Sequence, residues 1–151
     1  MDRNRRHLLQ ASLGMAALGV LLPLKPAAAA PQALRLIKHP GCACCEGHAA
    51  YLRQNGYAVT VETSADLDAF RQSLGIPRQF FGCHTILGGD YVIEGHVPAA
   101  ALAKLFAERP AVKGIAVPGM PLGSPGMSGQ KTAPLVVYAI AEGEPVVFLT
   151  E

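Results

Sequence analysis

Three of the four cysteines in this 151-residue chain fall within four consecutive positions, Cys42-Ala43-Cys44-Cys45, and the fourth is Cys83. This spacing constrains the fold more than any other feature. Cysteines packed so closely cannot staple distant segments, and only Cys83 lies far enough away to close a long loop. The cluster therefore reads as redox or metal chemistry rather than as a disulfide framework. Its flanks supply the setting. Ala33–Lys38 alternates like a strand, and His39-Pro40-Gly41 breaks it. From Cys42 to Asn55 the residues Cys45, His48, Ala49 and Leu52 recur at helical spacing, and Gly56 supplies the stop. A CxxC that ends a strand and opens a helix lies where thioredoxin-type folds carry their reactive pair.

The rest of the chain extends that pattern. Tyr57–Thr63 is β-branched and alternating, a second strand. Ser64 is the expected N-cap of a helix over Ala65–Leu74, ended by Gly75 and Pro77. After an irregular stretch over Arg78–Gly82, the strand-like runs Thr85–Leu87 and Tyr91–Glu94 are joined through Gly88-Gly89-Asp90. Pro98–Glu108 reads as a helix that stops at Arg109-Pro110, and Val117–Gly129 is a Gly/Pro loop. Leu135–Ile140 and Val146–Leu149 then flank Glu142-Gly143-Glu144-Pro145 as a hairpin. The expected fold is α/β and thioredoxin-like: βαβα, then ββα, then an added C-terminal β-hairpin and a Gly/Pro/Met loop. The first crossover is expected to be right-handed.

Residues 1–29 read as a signal peptide. Arg3, Arg5 and Arg6 precede an apolar run from Leu8 to Leu24, and Ala27, Ala28 and Ala29 supply small residues for cleavage. Arg5-Arg6-His7-Leu8-Leu9 also resembles a twin-arginine export motif. Residues 30–151 form the mature domain, placed in the periplasm and without a membrane span after processing. Removing the leader takes four basic residues and one acidic residue, so 13 and 11 become nine and ten, and the mature chain is near −1. That leaves no basic stripe for nucleic acid and no polybasic surface for lipid.

The chemistry concentrates at four places. Cys42 and Cys45 lie one turn apart at a helix N-terminus, where free N–H groups favour a thiolate, so the pair can exchange as a disulfide or ligate a metal together. Cys44 points to another side of the helix by spacing alone, and its loss is expected to cost less binding. Cys83-His84 stands where a thioredoxin-like fold places a cis-proline facing the CxxC, and adds a thiol and an imidazole beside the pair. His96, in Glu94-Gly95-His96-Val97-Pro98, follows a strand end near the same point, with His39 and His48 ranked behind it. Finally, Met120 and Met127 are the only methionines beyond the leader, and both sit in the Gly/Pro loop as candidate thioether ligands. Thioether sulfur suits Cu(I) and is a poor ligand for zinc.

These segments together resemble the CopG-like family of exported bacterial proteins associated with copper resistance. The resemblance rests on Gly41-Cys42-x-Cys44-Cys45, Gly75-Ile76-Pro77, Cys83-His84-Thr85, Glu94-Gly95-His96-Val97-Pro98 and Pro118-Gly119-Met120-Pro121-x-Gly123-Ser124-Pro125-Gly126-Met127. It spans about Arg35 to Phe148, with Ala43 replacing a glycine common in the family. It implies a thioredoxin-like fold and copper binding by the cysteine groups.

Two functions follow. One is a periplasmic copper-binding protein that sequesters or redox-cycles Cu(I)/Cu(II). Its donors are drawn from Cys42, Cys44, Cys45, Cys83, His84, His96, Met120 and Met127, with Cu(I) as the principal cargo and room for more than one ion. Copper ions and other periplasmic copper-handling proteins are its expected partners. The other is a thiol–disulfide oxidoreductase with Cys42 and Cys45 as catalytic residues. A structural zinc module leaves the methionines unused.

Overall fold

A computed structural model of the chain describes residues 30–151. The signal-peptide and twin-arginine readings fall on residues 1–29, outside the described residues. The chain forms β1 (Ala33–Lys38), α1 (Ala43–Gln54), β2 (Ala58–Thr63), α2 (Leu67–Ser73) and a 3-10 turn over Arg78–Phe80. It continues through β3 (His84–Gly88), β4 (Tyr91–Glu94), α3 (Ala99–Glu108), β5 (Gly114–Ala116), β6 (Val136–Ile140) and β7 (Val146–Thr150). All seven strands join one sheet in the order β2-β1-β3-β4-β5-β6-β7. The β1/β2 and β4/β5 pairs are parallel and the remaining pairs antiparallel. Among the described residues no helix is long and apolar enough to cross a membrane.

Each face of the sheet has its own cover. Cys45, Ala49 and Leu52 of α1 and Ala101, Leu102 and Leu105 of α3 pack on Leu34, Leu36, Ile86 and Ile93. On the opposite face Ile76 and Phe80, which follow α2, meet Val92, Ala116 and Ile140. β3 feeds both layers through Ile86 and Leu87, because successive side chains leave a strand on opposite faces.

Two expectations are corrected. The second helix starts at Leu67 and is capped by Asp66, whose Oδ1 accepts from Ala69 N at 2.8 Å. Ser64 instead donates its N–H to Lys38 O at 2.9 Å, which extends the β1/β2 ladder, so it belongs to the strand end. A carboxylate at the cap also gains from the positive end of the helix dipole. The second correction is β5. Its three residues, buried on both faces, are too short to show alternation. It pairs with β4 on one side and β6 on the other, so the C-terminal hairpin continues the main sheet.

The β4/β5 seam is unusually close at Gly114, where an added methyl would run into the backbone of Val92. Gly114→Ala should therefore cost about 3 kcal/mol by overpacking, read as a lower urea midpoint of the reduced metal-free protein. An unchanged midpoint would mean that the seam has room to spare.

Candidate metal centre

The N-terminus of α1 and the start of β3 meet because β1 pairs with β3 in the register Lys38↔His84. β1 leads directly into α1, so Cys83, one residue before His84, lands over the helix N-terminus. Cys42 is the N-cap residue, in extended backbone, and Cys44 and Cys45 occupy the first turn. Cys42 and Cys45 are joined as a disulfide, while Cys44 and Cys83 are free thiols. Cys83 Sγ lies 3.3 Å from Cys42 Sγ, 3.1 Å from Cys44 Sγ and 3.3 Å from Cys45 Sγ. All four sulfurs fall within 4.8 Å of one another. Cys45 is fully buried and the other three are half-buried, so the sulfur group opens to solvent on one side.

Cys44 therefore belongs to the group, contrary to the reading from helical spacing. The reason is local. Cys42 is not in helical register, and Cys83 sits above the end of the helix rather than beside one face. From there it is within reach of Cys44 as well as of the Cys42/Cys45 pair.

Behind the sulfurs lies a set of three imidazoles. Cys83 Sγ and ring nitrogens of His84 and His96 form a second group within 4.8 Å, so Cys83 is shared by both. The His84 and His96 rings are 4.9 Å apart, and His48 lies 4.8 Å from the first and 4.9 Å from the second. Their protons follow from the acceptors around them. A carbonyl oxygen only accepts, so His48 Nε2–H donates to Val97 O at 3.0 Å. Neutral His48 then accepts at Nδ1, and His84 Nε2–H donates to it at 2.8 Å. His96 Nδ1–H donates to Pro125 O at 2.7 Å by the same rule. What remains is a bare lone pair on His84 Nδ1 and another on His96 Nε2, and both atoms are buried without a hydrogen-bond partner. Buried polar atoms without partners are rare, and two of them on imidazoles grouped with a thiol fit a ligand set.

Electrostatics keep these rings in the ligating form. Burial, reinforced by His96, holds His48 down to about 3. Burial and the neighbouring imidazoles hold His84 well below the ordinary range, and burial also lowers His96. Burial and the Cys44 thiol push Cys83 upward, so the thiol keeps its proton until a metal ion displaces it.

The Gly/Pro loop closes the imidazole side. Gly126 packs backbone to backbone on Gly47 and His48, too close for a side chain at either glycine, and this contact presents Pro125 O to His96. Of the loop methionines, Met120 is 60% exposed and turns to solvent, while Met127 is half-buried directly after the packed glycine. His39 is exposed. The structure thus gathers Cys42, Cys44, Cys45, Cys83, His84 and His96. His48, ranked low in the sequence, is the proton anchor behind them. Its signal is present there, since it lies three residues after Cys45 on the buried face of α1.

A mixed α/β fold in which a four-sulfur group and a pair of unprotonated imidazole nitrogens share Cys83 carries donors that could hold a soft metal. Comparisons agree. The family model described as "Protein of unknown function, DUF411" matches residues 80–127, the stretch holding Cys83, His84, His96 and both loop methionines. No curated protein matches the chain. Two solved structures, forms 1 and 2 of copper resistance protein CopG, are each 37% identical, with a TM-score of 0.74. Each comparison covers 80% of this chain and 98% of that chain. The chain belongs to the CopG copper resistance protein family.

In the reduced, metal-free protein, long-range nitrogen–proton NMR correlations should place the proton on Nε2 of His48 and His84 and on Nδ1 of His96. A proton on His84 Nδ1 would break the chain described above. The same burial has a pH consequence. His48 drops from the ordinary 6.5 to about 3 on folding, so below pH 6.5 the unfolded chain binds the extra proton. Stability is full above that pH and falls toward the folded value, by about 1.4 kcal/mol per pH unit for this one group. Urea midpoints of the metal-free protein between pH 7 and pH 5 measure it, and a flat profile would contradict a buried neutral ring.

Proposed function

We propose that this protein is an exported, periplasmic copper-binding protein with a thioredoxin-like fold. It sequesters copper, or cycles it between Cu(II) and Cu(I), in copper resistance. The observation that carries the reading is Cys83 Sγ, shared between a four-sulfur group and a pair of free imidazole nitrogens. Bridging is natural for a thiolate and favours more than one Cu(I); zinc prefers four donors in one closed shell. The strand order β2-β1-β3-β4, with the cysteine pair opening the helix after β1, supports the thioredoxin-like assignment. The leader pattern in residues 1–29 supports export.

The donor set depends on the state of the pair. With Cys42 and Cys45 reduced, four sulfurs and two nitrogens are available. With the pair oxidised, Cys83, His84 and His96 still make a one-sulfur, two-nitrogen set, with the Cys44 thiol beside Cys83. The dithiol also holds two electrons. Two Cu(II) ions accept them as Cys42 and Cys45 form their S–S bond and release two protons, giving two Cu(I). Met127 is the better placed of the two methionines to add a thioether. Other copper-handling proteins of the periplasm are the natural source and destination of the cargo.

The disulfide between Cys42 and Cys45 favours a second reading, a thiol–disulfide oxidoreductase acting on client proteins. Cys83→Ala separates the two. The substitution removes little volume, so the metal-free protein should lose on the order of 1 kcal/mol and melt close to wild type. In anaerobic titration of the reduced domain against a chelator, it should bind Cu(I) far more weakly than wild type, which itself should prefer Cu(I) to Zn(II). Cys44→Ser, by the sulfur geometry, should be as damaging as Cys42→Ser or Cys45→Ser. Normal copper binding by Cys83→Ala, with insulin disulfide reduction intact, would move the enzyme reading to first place.

A further inference from the structure

Thr85 and Glu94 lie within the motifs that define the centre, yet they sit on the opposite face of the sheet from the histidines. There they meet Arg71 of α2, and the three form a buried polar network. Arg71 Nε donates to Glu94 Oε2 at 3.2 Å, and the side chains are 4% and 0% exposed. The Thr85 hydroxyl donates to Glu94 Oε1. Arg71 Nη1 reaches Asp68 Oδ1 at 3.1 Å, and the Phe81 ring covers the guanidinium at 4.9 Å.

The network also grips one peptide residue from both sides. Arg71 Nη2 donates to Gly82 O at 2.8 Å, and Gly82 N donates to Glu94 Oε2 at 3.1 Å. Gly82 precedes β3 and has no partner in the β1/β3 ladder, which begins at His84. Its N–H and C=O therefore depend on these two side chains. Gly82 also rests directly on the backbone of Gly95, where any side chain would collide. The next residue is Cys83.

We propose that Arg71 and Glu94 are positioning residues that clamp the Gly82 peptide and thereby set the sulfur of Cys83 against its three partner sulfurs and the two imidazoles. A buried Arg–Glu pair contributes little stability over apolar residues of similar size, so stability alone does not explain it here. Apolar residues, however, cannot hold a peptide N–H and C=O at once. The clamp rests on the copper reading for its purpose, but not for its geometry.

The test replaces both charges together, Arg71→Met with Glu94→Leu, so that neither is left buried alone. The reduced double variant should melt near wild type yet lose about tenfold or more in Cu(I) affinity, as outer-shell partners of metal ligands do. Cu(I)–thiolate luminescence should change with it, and Arg71→Lys, which can reach Gly82 O without forking to Glu94, should fall between. A folded double variant with wild-type affinity and luminescence would overturn the proposal. A metal-free readout separates it from the copper reading. In a Cys42→Ser/Cys45→Ser background only Cys44 and Cys83 remain, and diamide, taking two electrons and two protons, closes them into a disulfide. Adding the double substitution should slow that closure about tenfold, because Cys83 is no longer held beside Cys44. Slowed closure in a protein whose wild type ignores Cu(I) would sink the copper reading and keep the clamp; unchanged closure would sink the clamp. Should the variants fail to fold, the Gly82 amide of the wild-type metal-free protein decides. Exchange as slow as in β3 supports the clamp, and exchange as fast as in an exposed loop refutes it.

Discussion

The pairing of β1 with β3 governs everything else at the centre. It is antiparallel, with Leu36 opposite Ile86, Ile37 opposite Thr85 and Lys38 opposite His84. That register sends Leu36 and Ile86 into the core under α1 and α3, and carries His84 to the same face. It sends Thr85 to the other face, toward Arg71. A slip of one residue would reverse every one of these assignments, so the burial of Leu36 and Ile86 holds the ligand register in place. The hydrophobic core and the candidate metal donors are thus specified by the same ladder. Sulfurs 41 residues apart meet because two strands pair, with no dedicated loop needed to bring them together.

The donors also differ in depth. The half-buried sulfurs of Cys42, Cys44 and Cys83 form the rim, and fully buried Cys45 and the imidazoles form the floor. A thiol tolerates either setting, whereas a buried imidazole must have its N–H satisfied. Here the acceptors trace back to backbone carbonyls. Val97 O fixes His48, His48 fixes His84, and Pro125 O fixes His96. Val97 lies between β4 and α3, and Pro125 lies in the Gly/Pro loop. Both segments look like connectors in sequence, yet both set the protonation pattern that leaves a buried, unpartnered lone pair on His84 and on His96. The absence of side chains at Gly47 and Gly126 is part of the same arrangement, since their backbone contact brings the loop within reach of His96.

How much of this is legible in the sequence depends on whether a feature is local. β1 and β4 are readable at their observed bounds, and the spacing of Cys45, Ala49 and Leu52 marks the cysteine-bearing helix. The order of elements alone points Cys83-His84 toward the CxxC, and the structure brings them together. What stays hidden is set by tertiary contact. The direction of Cys44 depends on Cys83 approaching along the helix axis. β5 is a strand only because β4 and β6 flank it. Arg71 lies in a short helix, and its burial follows from a carboxylate on β4 that no local pattern announces. Asp66 rather than Ser64 is the cap because the ladder carries the backbone through Ser64, and the helix begins only at Leu67.

The centre is also held in a condition that a cation relieves. Four sulfurs in mutual contact cannot all be thiolates, since like charges so close repel strongly and burial already raises the Cys83 thiol. Without a metal the group has two outlets: it keeps its protons, or it oxidises a pair, as Cys42 and Cys45 have done. A soft cation offers the third, replacing protons with a charge that several thiolates can share. Proton release, disulfide reduction and metal uptake are therefore linked in a single set of atoms. The imidazole floor does not share this conflict, because its nitrogens are neutral and already oriented. Side chains that need no deprotonation thus stand beside thiols that do, and the imidazole nitrogens are unaffected when the Cys42/Cys45 pair is oxidised.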